Sequence, residues 1–243
     1  MIVETLSIFP EMFEGVMSSS ILGRARKKGI LDFHAYDLRD WTHDRHRTTD
    51  DEIYGGGSGL LMCCPPIFEA VESICSTGPK PHVIFFTPTG RPFNQDMAAE
   101  LAGYERLLMV CGRYEGIDER AYTLADRCVS LGDYVLTGGE LAAMVVTDAV
   151  CRLLPGALGD ENSAVEESFA DNLLEFPQYT RPAVYRDMEV PEVLLSGNHG
   201  AIAAWRRRAA IERTALLRPD MLDAAELADE ECTYADAIRS DSD

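Results

Sequence analysis

The chain has 243 residues, enough for one large domain or two ordinary ones, and its 46% hydrophobic content is ample for a packed core. With 41 acidic against 22 basic side chains the formal net charge is −19, which at face value argues against a nucleic-acid partner, since phosphate binding calls for a basic surface. No apolar run approaches the roughly 18 residues of a membrane span, and the seven cysteines show no C-x-x-C spacing, which predicts reduced thiols in the cytoplasm and no zinc site.

The start of the chain has neither a basic n-region nor a cleavage site and reads as a first strand, 2–9. Helical patterns follow at 11–18 and 20–28, the second stopped by Gly29, and then a strand at 31–36. Gly55-Gly56-Gly57-Ser58-Gly59 lacks the spacing of a dinucleotide fingerprint and follows a polar run, so it reads as a flexible lid or substrate loop. Next come a helix at 66–76 opened by Pro66, a strand at 83–87, a helix at 94–104 opened by Asn94, and a strand at 107–111. A helix at 117–125, a strand at 127–131 and a helix at 140–154 complete a β/α alternation, which predicts a mainly parallel sheet covered on both faces over residues 1–158.

Residues 159–175, with Asp160, Glu161, Glu166, Glu167 and Glu175, read as a mobile linker. Residues 176–243 are expected to form a helical domain: beyond Pro191 the pattern is helical only, with a long helix at 201–217 ended by Arg218-Pro219. The last segment, 221–243, reads as a short helix and a frayed tail; nine acids against one arginine from Asp220 to Asp243 gather much of the excess charge there. Basic residues cluster instead at 24–28, 43–47 and 205–208.

Three loops fall at the carboxyl ends of predicted strands, where ligands of open α/β sheets bind: Thr87-Pro88-Thr89-Gly90, 112–116 and 132–139. Their glycines let main chain approach a ligand, Tyr134, Val135 and Leu136 offer apolar surface, and Arg113 is their one arginine. No G-x-x-x-x-G-K-[ST] is present, so the loops suit a purine-bearing ligand without a polyphosphate.

Cys111-Gly112-Arg113-Tyr114-Glu115-Gly116-Ile117-Asp118-Glu119-Arg120 and Leu131-Gly132-Asp133-Tyr134-Val135-Leu136-Thr137-Gly138-Gly139-Glu140 closely resemble the bacterial tRNA (guanine-N1-)-methyltransferase family. Further matching runs are Tyr54–Gly59, Ser168-Phe169-Ala170-Asp171, Tyr179-Thr180-Arg181-Pro182, and Leu195-Ser196-Gly197-Asn198-His199 leading to Trp205-Arg206. Ile53, Thr89, Thr137 and Asn172 stand where proline, glutamine, serine and glycine are usual.

The resemblance implies a SPOUT-type fold, meaning an α/β sheet domain with a deep trefoil knot, a linker and a smaller all-α C-terminal domain, working as a homodimer with a composite active site. It implies S-adenosylmethionine bound by Pro88, Gly112, Glu115, Leu131, Gly132, Asp133, Tyr134, Val135, Leu136, Gly138 and Gly139. Magnesium dependence is associated with the family, with no ligand assigned. The RNA would be the anticodon loop of tRNA, and the target the guanine just 3′ of the anticodon. Arg24, Arg113, Arg206 and Arg207 become candidate RNA contacts.

Methylating N1 of guanine requires removal of the N1 proton while charge develops on O6. Asp171 is the candidate base, since neighbouring acids favour its protonated form, and Arg152 is the candidate donor to O6. Glu115 is the rival base. The alternatives are a related knotted methyltransferase acting on another RNA, which would differ in the C-terminal domain, and a non-catalytic RNA-binding relative, which would lack the aspartate or arginine.

Overall fold

The computed structural model describes residues 1–159, 167–169 and 171–241, and the chain divides into two units, Met1–Glu161 and Asn162–Asp243. In the first, β1 (Ile2–Ser7) leads through a 3-10 turn, Pro10–Phe13, to α1 (Glu14–Met17), α2 (Ser20–Lys27) and β2 (Asp32–Asp37). A second 3-10 turn, Leu38–Trp41, precedes a hairpin of β3 (Asp50–Glu52) and β4 (Leu60–Met62). Then come α3 (Cys64–Cys75), β5 (His82–Pro92), α4 (Gln95–Ala102) and β6 (Arg106–Val110). The 3-10 stretch Glu119–Leu124 separates β6 from β7 (Arg127–Ser130), and α5 (Glu140–Cys151) follows.

The main sheet is parallel, in the order β2-β1-β6-β5-β7. Alternation along a strand sends successive side chains to opposite faces. Accordingly Leu107 and Met109 of β6 join Val3, Ile84 and Val129 in a core under α2, α4 and α5, while Leu108 and Val110 join Leu6, Val83 and Phe85 in a second core under α3. A sheet buried on both faces is the expected one.

Two expected helices differ, and one hairpin was not expected. The pattern at 11–18 splits into the 3-10 turn and α1, with Pro10 fixing the first turn. The helix expected at 117–125 is 3-10 over Glu119–Leu124: the Asp118 carboxylate accepts from the Arg120 amide, and within Glu119–Leu124 only Ala121 is buried, too little apolar face to hold an α-helix. The first hairpin went unread because β3 is three acidic residues without alternation.

One edge of the second core is closed by a buried charge pair. Arg106 donates through Nε and Nη2 to Glu4 at 2.7 and 3.0 Å, and Tyr36 donates to the same carboxylate at 3.0 Å. The guanidinium also donates to the carbonyls of Ile74 (3.0 Å), Pro79 (2.8 Å) and Thr77, closing the carboxyl end of α3. Truncating one partner strands the other, so Arg106→Met is expected to lower unfolding free energy by about 3–5 kcal/mol. Urea unfolding measures this, and the double variant with Glu4→Gln should recover part of the loss; an unchanged midpoint in the single variant would contradict the account.

The second unit contains β8 (Val184–Tyr185), β9 (Met188–Glu189), α6 (Glu192–Leu195), α7 (His199–Leu217), α8 (Pro219–Leu222) and α9 (Asp229–Asp241). Its described part is therefore not helical throughout. The β8–β9 hairpin closes on Arg186 and Asp187, both at positive φ (50° and 62°), the geometry of a two-residue turn that fits strand twist. Beyond 221 the chain is more helical than a frayed tail: Ala235 of α9 is buried with Ile211 and Ala215 of α7, and Tyr234 and Ile238 pack on that cluster.

Of the segment read as a linker, 160–166 and 170 lie outside the described residues. Residues 167–169 and 171–175 belong to the second unit: Leu173 is buried against Ile211 and Leu222, and the Leu174 amide donates to Thr214 Oγ1 at 2.8 Å.

Candidate functional site

At the carboxyl ends of β5, β6 and β7 the first unit holds a cavity of 430 Å³. Its walls are the three segments expected from the sequence, although the first lies inside β5, which runs on past the expected end at 87, and not in a loop after it. β5 supplies Thr87, Pro88 and Thr89, in a bulge between Phe86 and Arg91 that interrupts pairing with β7. The loop after β6 supplies Gly112 to Ile117, and the loop after β7 supplies Leu131, Gly132 and Tyr134 to Gly139. Asp133 alone among the expected cofactor residues is not in the lining.

Backbone proximity explains the glycines. The Gly139 amide donates to the Gly112 carbonyl at 2.9 Å, and a Cβ on Gly139 would lie 2.8 Å from Cys111 Cα and 3.1 Å from Gly112 N. Gly138 pairs as an isolated bridge with Arg113, and its added Cβ would sit 2.2 Å from Arg113 Nε. Gly116 and Gly132 hold φ of 137° and 150°, a region that side chains avoid. Cys111, wholly buried behind this contact, has its thiol pKa raised well above the usual value by desolvation, then by the Glu140 charge, so it is inert.

The first hairpin braces the middle loop. Glu115 N donates to the Leu60 carbonyl and Met62 N to the Gly116 carbonyl, both at 3.0 Å. Gly59 at φ 87° lies under the Glu115 side chain, 2.5 Å from its Cγ if a Cβ is added. The glycine segment read as a lid thus springs from a stem fixed to a cavity wall, with Tyr54 at its tip 98% exposed. Tyr114 sits at φ 59°, and its pKa is raised by burial first, then by the Asp50 charge and hydrogen bond.

Arg113 does not face solvent as an RNA contact would. Its side chain is 16% exposed, donates through Nε to Glu140 Oε2 at 2.8 Å, and lies over the Phe9 ring at 4.7 Å. Within the lining its charge is therefore neutralised locally, leaving Glu115 and Glu119 as the other charged side chains there.

Arg152 is not brought to this cavity. Helix α5 begins at Glu140, beside Ser7 at the carboxyl end of β1, and the carbonyl of Gly156, beyond its far end, accepts from Lys28 at the amino edge of the sheet. Arg152, the C-cap of α5, therefore lies about 18 Å from Glu140 along the helix axis by the α-helical rise. Arg24 is exposed in the last turn of α2.

In the second unit Asp171 is exposed in a turn that places Asn172 at φ 55°. Asparagine tolerates that conformation better than other side chains, which accounts for its standing where glycine is usual. Arg207 is committed internally, donating to both Glu231 oxygens at 2.8 and 3.0 Å, and Arg208 stacks over Tyr234 at 4.3 Å. Arg206 is exposed, with its guanidinium over Phe176 at 4.7 Å. Among the described residues no group of three or more His, Cys, Asp or Glu could hold a metal ion, and no helix is long and apolar enough to cross a membrane.

The family described as tRNA (Guanine-1)-methyltransferase TrmD matches residues 1–224. Relatives named tRNA (guanine-N(1)-)-methyltransferase are similar over nearly the whole chain. One from Caldanaerobacter subterraneus subsp. tengcongensis is 54% identical over 95% of each chain, and one from Persephonella marina is 52% identical over 96% of this chain and 92% of its own. A third, from Geobacter sulfurreducens, is 52% identical over 94% of this chain and 95% of its own.

Proposed function

The chain belongs to the tRNA (guanine-1)-methyltransferase family, with its SPOUT-type fold, and from that premise we propose that it methylates N1 of the guanine just 3′ of the anticodon in tRNA, using S-adenosylmethionine. The observation that carries this reading is the cavity at the ends of β5, β6 and β7: glycine-built walls, apolar Tyr134, Val135 and Leu136, and a single arginine already paired with Glu140. Such walls fit a ligand with an adenosine and no polyphosphate, and the carboxylates of Glu115 and Glu119 complement a sulfonium. Pro88, Gly112, Glu115, the 131–136 run and Gly138-Gly139 would hold it, and the contact of Gly139 with Gly112 would fall where the knot expected of this fold brings its loops together. When bound, the cofactor supplies an electrophilic methyl that needs no further activation.

The protein's own groups act on the base. Asp171 accepts the N1 proton, and Arg152 donates to O6 as charge develops there. Aligning two desolvated reactants supplies much of the rate. Because Arg152 lies at the opposite edge of the sheet from its own cavity, we assign the cavity to one protomer and Arg152 to the other, and Asp171 goes with Arg152 by the composite site that the family resemblance implies. An apolar face suits that homodimer: Leu141 and Val145, one helical turn apart on α5, are 47% and 48% exposed, with Met12 and Val16 exposed on the neighbouring 3-10 turn and α1. Exposed Arg24 and Arg206 serve as phosphate contacts in this cytoplasmic tRNA-modifying enzyme, and no residue is assigned to magnesium.

Transfer of labelled methyl from S-adenosylmethionine to tRNA transcripts tests the reading. A transcript with guanine 3′ of the anticodon should be labelled and its adenine counterpart should not; equal labelling of both refutes the target.

A further inference from the structure

Glu140 is the first residue of α5, and no part of it reaches solvent. A carboxylate buried this deeply requires charge-assisted partners, and three are present. Ser7 Oγ donates to Oε1 at 2.6 Å, Arg113 Nε donates to Oε2 at 2.8 Å, and the amino end of α5 favours an anion. Ser7 is itself held, since its hydroxyl accepts the Phe9 amide at 2.8 Å.

Glu140 does not line the cavity, but Arg113, which it holds, does. Arg113 crosses from the loop after β6 to the loop after β7: it donates through Nη1 to the Thr137 carbonyl at 3.4 Å, and its side chain lies against Gly138. Without the carboxylate at its Nε, the guanidinium has no anion to hold it between Phe9 and Gly138, and the two glycine loops lose their side-chain tie.

We propose that Glu140 is a positioning residue for the methyl-donor pocket, acting through Arg113 to set the spacing of the 112–116 and 132–139 loops. This rests on the reading that the cavity holds S-adenosylmethionine. The role assigned to Arg113 is then inside the protein and not on the RNA. Glutamine at 140 can still accept from Ser7 but turns an amide donor toward the Arg113 donor, so an isosteric change breaks one link and keeps the other. Lysine at 113 keeps the charge and loses the planar fork.

The test measures steady-state constants for S-adenosylmethionine and for tRNA separately, the dissociation constant of S-adenosylhomocysteine by calorimetry, and thermal unfolding, for wild type, Glu140→Gln and Arg113→Lys. Both variants should raise KM for the methyl donor and weaken S-adenosylhomocysteine by about 10- to 100-fold, the effect of losing a hydrogen bond to a charged group, with KM for tRNA unchanged. If one variant does not fold, the other carries the test. A lowered melting temperature with unchanged donor constants shows a structural role only and overturns the proposal, as does a parallel rise in KM for tRNA. Failure of wild type to bind S-adenosylhomocysteine would instead refute the reading of the cavity; wild-type binding matched by Glu140→Gln refutes the positioning role alone.

Discussion

Asp171→Asn is expected to lower methyl transfer to tRNA by about 10²- to 10⁴-fold, the contribution of a positioned general base. Asparagine has the same shape but cannot accept the N1 proton. The turn that carries position 171 is held by other groups: the Phe169 amide donates to the Leu173 carbonyl at 2.9 Å, Asn172 Nδ2 donates to the Ala224 carbonyl at 3.0 Å, and Leu173 is buried beneath. The variant should therefore fold as wild type does and bind S-adenosylhomocysteine equally well, so the loss falls on the chemical step. Single-turnover transfer of labelled methyl, with unfolding as a control, separates these quantities. Retained activity would remove Asp171 from the mechanism and leave Glu115, which lines the cavity, as the base to test next.

What could be read from the residues alone follows from how far each signal reaches. The cavity loops were legible because glycines after short apolar runs are a local pattern; that β6 and β7 are not neighbours but flank β5, and so bring both loops to the same end of the sheet, was not. The fate of individual charges was not. Arg113 and Arg207 read as exposed cations, yet their partners are Glu140 and Glu231, 27 and 24 residues away, and a charge in sequence announces its sign but not its partner. α9 was obscured by its acidity, although Tyr234 and Ile238 stand at the i, i+4 spacing of a packed face, and Glu231 accepting the Ala228 amide is half of a capping box. The position of Arg152 opposite its own cavity follows from the direction of α5 across the sheet, which only the three-dimensional arrangement reveals.

Gly139→Ala should remove donor binding almost completely, because the methyl group would sit against main chain and not against a side chain that can turn away. A Cβ at 139 lies 2.8 Å from Cys111 Cα, an atom fixed at the end of β6 in the centre of the sheet, so the loop after β7 has to retreat and give up the Gly139 N to Gly112 O hydrogen bond. Calorimetry with S-adenosylhomocysteine reads the lost binding directly, and a displacement of about 1 Å in whatever still binds is enough to cost roughly 100-fold in rate. The same variant also tests where the site is completed. Homodimers of Gly139→Ala lack a working cavity and homodimers of Asp171→Asn lack the base, so each alone should be inactive. Subunits mixed and allowed to exchange should regain activity, since in a mixed dimer the intact cavity of the Asp171→Asn protomer meets the intact Asp171 of its partner. Random exchange restores roughly a quarter of the sites. No recovery, with exchange verified independently, would place cavity and base in one chain and overturn the composite site, because two chains each defective in their own site cannot help one another.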